Sequence, residues 1–353
     1  MKALRFHGHK DIRLDDVEEP ELQPGWSIIA VDWASICRSD IKEYLGPLYI
    51  SDEPNPITGV SIPVTLGHEF AGRIVETDGT RPDIQVGDRV TVDCCVMCGE
   101  CWFCRQGNYV LCDNLAILGF DAHGGFAELV AAPNYGLHRL PDSVSDEAAA
   151  VIEPLAVVTH AVRRARIEPG ASVVVVGAGM IGLGTTAIAR AVGAGSVYVV
   201  EPVEQRRERA AEMGATAVID PVQGDVIEQL RELTSGRGAD VAFDCVGTED
   251  SLGSAIQLTR KGGRIAVVGV FRSPATIDMN QVVLMEREII GNLAYVDDFP
   301  RVISLLVDGR VSGEDFITSR IALADIVDQG FQVLLDRPDD HVRIIVDAHQ
   351  ASG

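Results

Sequence analysis

Positive charge is scarce in this chain. Thirty lysines and arginines face 52 aspartates and glutamates, a formal charge of −22, and only four of the thirty are lysine. A field of that sign repels polyanions, and no basic run interrupts it, so nucleic-acid binding is excluded as a main function. Any anionic cofactor must be held by local arginines and helix dipoles against the global field. Uninterrupted apolar sequence is scarce too. The most apolar stretch, Val173 to Ile188, contains four glycines and two threonines, which argues against a membrane span. The opening residues, Met1-Lys-Ala-Leu-Arg-Phe-His, lack the apolar core of a signal peptide, so a cytoplasmic protein is expected. In that reducing compartment eight cysteines are expected to bind metal rather than each other.

Length and hydrophobic content, 353 residues at 46%, allow two domains with ample core. Cys98, Cys101, Cys104 and Cys112 follow the spacing C-x2-C-x2-C-x7-C within one loop-like stretch. Thiolates so close in sequence converge on one tetrahedral Zn2+ without long-range folding. The competing reading is two short disulfides, which this spacing would strain. Four thiolates leave no open coordination position, so the zinc here is expected to be structural. Catalysis must lie elsewhere.

The first 150 residues read as short strands punctuated by Gly, Pro and Asp: Trp26–Trp33, Phe70–Thr77, Arg89–Val92 and Phe126–Ala131. From Ser172 the texture changes to strand–helix alternation. Strands are expected at Ser172–Val176, Ser196–Val200, Ala217–Asp220, Val241–Asp244 and Gly263–Val270, with helices such as Glu204–Glu212 and Val226–Leu233 between them. Such alternation predicts a parallel sheet covered by helices on both faces. The pattern becomes mixed again after Gly291 and ends in the apolar strand Val342–Val346. A β-rich unit wrapping around an inserted doubly wound α/β domain accounts for this order.

Val173 to Val176 runs into Gly177-Ala-Gly179-Met180-Ile181-Gly182, a strand leading through G-x-G-x-x-G into a helix. Gly177 permits the tight turn, Gly179 lets a pyrophosphate approach the backbone, and Gly182 allows close helix–strand packing. The helix N-terminus at Met180 and Ile181 offers oriented N–H groups to phosphates. Nineteen residues on, Glu201 ends the next strand. A carboxylate there accepts from both adenosine ribose hydroxyls and repels a 2′-phosphate, favouring NAD over NADP. Arg206 and Arg207 pull the other way, since a guanidinium can receive such a phosphate; the alternatives are a solvated helix face or a cover for the adenine.

Three further stretches carry metal-ligand types: Cys37-Arg38-Ser39-Asp40, Gly67-His68-Glu69 and Ile152-Glu153-Pro154. One thiolate, one imidazole and one carboxylate make a three-ligand set that leaves a fourth zinc position for water or substrate. Singly each is weak, because a lone cysteine is usually core and His68 can simply bond a carbonyl. Glu153 is harder to dismiss. It interrupts the run Ala148-Ala-Ala-Val-Ile-Glu-Pro-Leu-Ala-Val-Val, and a buried carboxylate needs a partner such as a metal.

Together these residues carry a resemblance. Gly67-His-Glu69, Val86-Gly-Asp-Arg-Val90, the four-cysteine loop, Gly124-Gly-Phe-Ala-Glu128 and the glycine triplet stand in the order and approximate spacing of one family. The chain resembles the zinc-dependent medium-chain dehydrogenase/reductases over essentially its whole length, and within them the butanediol and sorbitol dehydrogenase branch. The resemblance implies a GroES-like β-rich catalytic domain at 1–155 and 296–353, with the structural-zinc loop at 94–112. A Rossmann domain at 156–295 completes it. Cys37, His68 and Glu153 would hold a catalytic zinc, with Glu69 beside it and exchanging onto the metal, giving two zinc ions per chain. Ser39 matches the hydroxyl that takes the substrate proton, and Asp40 the carboxylate that orients the histidine. Arg38 and Arg343 match pyrophosphate-binding arginines. One departure matters: the position where the family often has a histidine ending the proton relay is Lys42, a poor acceptor near neutral pH.

The activity implied is NAD(H)-linked interconversion of a secondary alcohol and a ketone. A vicinal diol such as 2,3-butanediol is the first substrate, sorbitol-type polyols the second and threonine the third. A homodimer or homotetramer joined through the strand near Glu288 is expected, because family members pair there edge to edge. Two other classes compete. A zinc-free reductase shares the fold but predicts loss of the metal ligands, and a non-catalytic NAD-binding protein predicts no turnover.

Overall fold

The structure is a computed structural model describing residues Met1–His349. The chain divides into two compact units, Met1–Glu153 with Val302–Gly353, and Pro154–Arg301. Residues 350–353, the end of the expected catalytic domain, lie outside the described residues.

In the first unit the strand Trp26–Ser35 is the hub. Its β-branched and apolar residues Ile28, Ile29, Val31 and Ala34 are buried, as a strand with neighbours on both sides requires. Glu69–Thr77 pairs antiparallel with it, Ser35 opposite Glu69. On the other flank Arg343–Asp347 pairs antiparallel, Ile345 opposite Ser35. The sheet continues through Arg89–Val92 and Leu137–Arg139 on one side and Ile317–Ala322 on the other. This register brings the end of one strand and the beginnings of two others, Ser35, Glu69 and Arg343, to one end of the sheet.

The strand expected at Phe126–Ala131 begins instead at Leu129. The residues before it are held in a loop against the turn at Gly67: Gly124 N–H donates to Thr65 O (2.9 Å), Gly125 N–H to Gly67 O (2.7 Å) and Phe126 N–H to Leu66 O (2.9 Å). Gly67 has φ +96°, and a Cβ there would fall 2.7 Å from Phe126 N. Only glycine fits this crossing, which sets the direction of His68.

The second unit is a six-stranded parallel sheet in the order Ala217–Ile219, Ser196–Val200, Ser172–Val176, Ala239–Asp244, Thr259–Val267, Glu288–Gly291. That order, with the first strand central and helices between strands, is the doubly wound arrangement expected from the alternating texture. Val173, Val174 and Val175 are fully buried, as strands covered on both faces must be. On one face Val174, Tyr198 and Ile219 pack with Leu230 of the helix Val226–Leu233 and Ala255 of Glu249–Leu258. The strand order reverses between Ser172–Val176 and Ala239–Asp244, and ligands of such sheets bind beyond the carboxyl ends of the strands there. Glu288–Gly291 is an edge strand. Among the described residues no helix is long and apolar enough to cross a membrane.

Candidate active site

The short helix Arg38–Leu45 organises one end of the first unit's sheet. Cys37 is its N-cap residue, and its N–H donates to Asp40 Oδ2 (2.9 Å), which fixes the direction of the thiol. Ser39 Oγ lies 3.2 Å from His68 Nε2. Asp40 Oδ1 faces His68 Nδ1 at 3.3 Å. One helical turn therefore addresses both nitrogens of the imidazole. The Cys37 sulfur, a His68 nitrogen and a Glu69 carboxylate oxygen all lie within 4.8 Å of one another. Burial opposes the charged form of His68, but the Asp40 carboxylate and then Cys37 outweigh it and hold the imidazole well above its ordinary pKa.

Glu69 is fully buried and paired with Arg343: Nη2 to Oε1 is 2.8 Å and Nε to Oε2 is 3.0 Å. Arg343 Nη2 also lies 3.7 Å from the Cys37 sulfur. Burial works against this guanidinium and Glu69 more than compensates, so its pKa is raised. Arg343, expected at a pyrophosphate, stands beside Glu69 and Cys37 in the structure. Only 3% exposed, it takes the carboxylate and thiol that the sheet register places beside it. Arg38, expected at the pyrophosphate too, donates to the carbonyls of Leu334 (3.5 Å) and Pro338.

Glu153, at the start of the helix Ile152–Ala165, is buried, and the Cys94 thiol donates to its Oε1 at 3.9 Å. It stands outside the tight trio of Cys37, His68 and Glu69, while its charge is felt at Arg343. The donor chemistry suits a zinc ion: one thiol, one imidazole and carboxylates. Asp40, Glu69 and Glu153 are all buried, and these three carboxylates outnumber the Arg343 guanidinium and the His68 imidazole, an imbalance that a divalent cation offsets. Asp40 Oδ1 and His68 Nδ1 are also buried, facing each other at 3.3 Å without a well-aligned hydrogen bond.

Aromatic rings flank the trio. Phe120 packs on the His68 ring at 4.8 Å, and Tyr49 stacks on Phe120 at 5.7 Å with 9° between planes. Sequence reasoning missed Phe120, Tyr49, Cys94 and the pairing of Glu69 with Arg343. Only the last had a signal, an arginine inside the apolar run His341-Val-Arg-Ile-Ile-Val346.

In the loop after the strand Arg89–Val92, the sulfurs of Cys98, Cys101, Cys104 and Cys112 also lie within 4.8 Å of one another, and no cysteine of the chain is in a disulfide. Backbone N–H groups point at them: Cys98 N to Cys112 Sγ, Cys101 N to Cys98 Sγ and Cys104 N to Cys101 Sγ, each at 3.4 Å. The Cys104 and Asp113 N–H groups pull Cys101 down to about 6, while burial pushes Cys104 up to about 12 and Cys112 up as well. Four sulfurs gathered on one point fit a tetrahedral metal rather than two separate bridges. Tyr109 ties the loop to the body by donating to Asp93 Oδ2 (2.7 Å).

In the second unit, Gly177 has φ +93°, and a Cβ on Gly182 would fall 1.9 Å from Gly177 O. A Cβ on Gly179 would meet nothing within 4 Å, so the approach to the helix Met180–Ala191 is open. No side chain caps that N-terminus, a geometry that fits a phosphate. Glu201 is 3% exposed, with Oε2 accepting from Ala178 N (2.7 Å) and Oε1 from Val203 N (3.0 Å). Its carboxylate is thereby anchored against the glycine turn. Arg206 is partly buried on the helix Glu204–Glu212. Arg207, for which the sequence left a solvated face or a cover for the adenine open, donates to the Glu201 carbonyl (2.9 Å) and pairs with Asp220 (3.1 Å).

Comparison with known proteins agrees with this geometry. Residues 23–142 match the alcohol dehydrogenase GroES-like domain, and residues 181–308 match the zinc-binding dehydrogenase domain. (R,R)-butanediol dehydrogenase of Bacillus subtilis is 39% identical over 98% of this chain and 99% of its own. Sorbitol dehydrogenase of Bacillus subtilis is 32% identical over 93% of this chain and 92% of its own. The crystal structure of 2R,3R-butanediol dehydrogenase from Bacillus subtilis superposes with a TM-score of 0.92 at 38% identity, covering 98% of this chain and 99% of that one. With both domain models matched and near-complete coverage, the chain belongs to the zinc-type alcohol dehydrogenase family, as an oxidoreductase of the alcohol/ketone type.

Proposed function

We propose that the protein interconverts a vicinal diol and its acyloin, 2,3-butanediol and acetoin in the first instance, using NAD(H). The observation that carries this is the trio Cys37, His68 and Glu69 gathered within 4.8 Å, with the Ser39 hydroxyl on the imidazole, in a chain similar to butanediol dehydrogenases. Cys37, His68 and Glu153 would hold a catalytic zinc, with Glu69, tied to Arg343, beside them as the other carboxylate within reach of the cluster. A bound zinc supplies Lewis-acid polarisation of the substrate oxygen, and a bound nicotinamide supplies the hydride acceptor.

The side chains of the protein do the rest. Ser39 Oγ takes the substrate's hydroxyl proton as it passes its own on to water, and Asp40 orients the His68 ring. Phe120 and Tyr49 wall the site on the imidazole side and exclude water from the reacting carbon. Cys98, Cys101, Cys104 and Cys112 hold a second, structural zinc. Gly177, Gly179 and Gly182 with the N–H groups of Met180 and Ile181 cradle the pyrophosphate, and Glu201 binds the ribose diol and selects NAD. Two or four copies assemble through Glu288–Gly291, beside which Val283, Leu284 and Leu293 are exposed.

The test is NADH absorbance over a panel of diols, polyols and L-threonine, run with metal analysis on the same preparation. Highest kcat/KM on 2,3-butanediol is expected. A polyol or threonine preferred by tenfold or more replaces the diol reading, and turnover of none favours a non-catalytic protein.

A further inference from the structure

Glu43 lies on the helix that carries Ser39 and Asp40, yet it touches neither of them in the hydrogen-bond network. It is 1% exposed. Its carboxylate accepts from three consecutive backbone N–H groups: Leu48 (3.0 Å to both oxygens), Tyr49 (3.1 Å) and Ile50 (3.1 Å). Among the described residues no cation pairs with it. A buried charge is costly unless its hydrogen bonds are complete, and these converging donors are what completes them. The segment they hold is otherwise open, with Leu48 56% and Tyr49 38% exposed. Tyr49 in turn stacks on Phe120, and Phe120 packs on His68.

We infer that Glu43 is a positioning residue for substrate selection. Its carboxylate fixes the backbone of residues 48–50, so that the Tyr49 ring stands on Phe120 and sets the width of the wall beside His68. One helix therefore orients the imidazole through Asp40 at its start and the aromatic wall through Glu43 one turn later. Without the carboxylate, three N–H groups, that of Ile50 buried, lose their acceptor and must turn to water. The Tyr49 ring then swings, and the site loses its grip on the substituents of the carbinol carbon while the proton and hydride partners stay in place. This inference rests on the proposed site for the alcohol.

Two measurements on the full-length protein test it. In Glu43→Ala, amide exchange at Leu48, Tyr49 and Ile50 should quicken by about tenfold or more, since each loses one acceptor. Substrate KM should rise by about tenfold, with kcat within about threefold and KM for the cofactor unchanged, the signature of lost binding that is uniform along the reaction. Glu43→Gln, which keeps one acceptor oxygen, should restore most of both. Tyr49→Ala should reproduce the KM change, and Glu43→Ala with Tyr49→Ala together should be no worse than Tyr49→Ala alone. Additive effects, a fall in kcat alongside a weaker cofactor, or unaltered exchange would overturn the inference. The exchange arm needs no substrate. Failure of the unaltered protein to use any diol refutes the functional reading alone, and the KM comparison then runs on whichever alcohol the panel identifies.

Discussion

Removing the guanidinium of Arg343 should be among the most damaging single changes outside the ligands themselves. Arg343 and Glu69 are both buried and meet through two hydrogen bonds of 2.8 and 3.0 Å. Their mutual attraction is not the quantity at stake. In Arg343→Met the Glu69 carboxylate stays behind, buried and uncompensated, beside the Cys37 sulfur. Breaking a buried pair in this way costs about 3–5 kcal/mol. For a unit of about 200 residues that is a fall in melting temperature of roughly 6–20 °C. The neutral pair Glu69→Gln with Arg343→Met removes both charges and should recover more than half of the loss. Thermal unfolding by circular dichroism, with zinc measured in each sample, reads the unaltered protein, the two single variants and the double. A loss below about 1 kcal/mol in Arg343→Met, or a double variant as unstable as the two singles added together, would refute the reasoning.

Cys98→Ser should lower stability more than activity per folded molecule, because structural zinc binding is coupled to folding; denaturation midpoint and specific activity separate the two. Catalytic efficiency with NAD should exceed that with NADP by about a hundredfold or more, and Glu201→Ser should narrow the gap. Arg207 is already held by Asp220, so Glu201→Ser combined with Asp220→Asn should go further toward NADP; equal use of both cofactors by the unaltered protein would count against the role of Glu201. His138 is pushed down to about 4 by burial, with the Arg81 charge adding to it. Its folded pKa is below the unfolded value of about 6.5, so the unfolded chain gains the proton first and stability should fall as pH drops from about 6.5 to 4, by up to about 3 kcal/mol. His138→Gln should flatten that part of a pH–stability curve. Light scattering should find a dimer or tetramer at micromolar concentration, and a strict monomer would remove the proposed role of Glu288–Gly291.

Much of the fold is written locally. Ser172–Val176 is four valines behind a serine, and Gly177 and Gly182 each meet a separate steric demand within six residues, so strand, turn and helix follow from neighbours in sequence. The four-cysteine loop is legible for the same reason, since its sulfurs need no distant partner. What the sequence hides is set by sheet register. Ser35 stands opposite Glu69 and Ile345 opposite Ser35, and that alignment, across 274 residues of chain, pairs Arg343 with Glu69. An arginine inside an apolar run announces that Arg343 needs a partner, but nothing near it says which one. Glu43 is hidden differently: it lies close to its loop, but a glutamate on a helix reads as a solvated charge until the N–H groups of Leu48, Tyr49 and Ile50 are seen turned toward it. The same limit explains the strand start at Leu129, where Phe126 was spent on the crossing at Gly67.

The central claim is that one buried cluster, built on Cys37 and His68, holds a zinc on which alcohol oxidation depends, while the four-cysteine loop holds another for structure. The most direct measurement is zinc content per chain beside NADH production from 2,3-butanediol, for the purified protein and for His68→Ala. Two zinc ions and turnover are expected in the first, and one zinc, a retained fold and no turnover in the second. A zinc-free preparation that still oxidises the diol, or His68→Ala that does so with its metal content unchanged, would contradict the account.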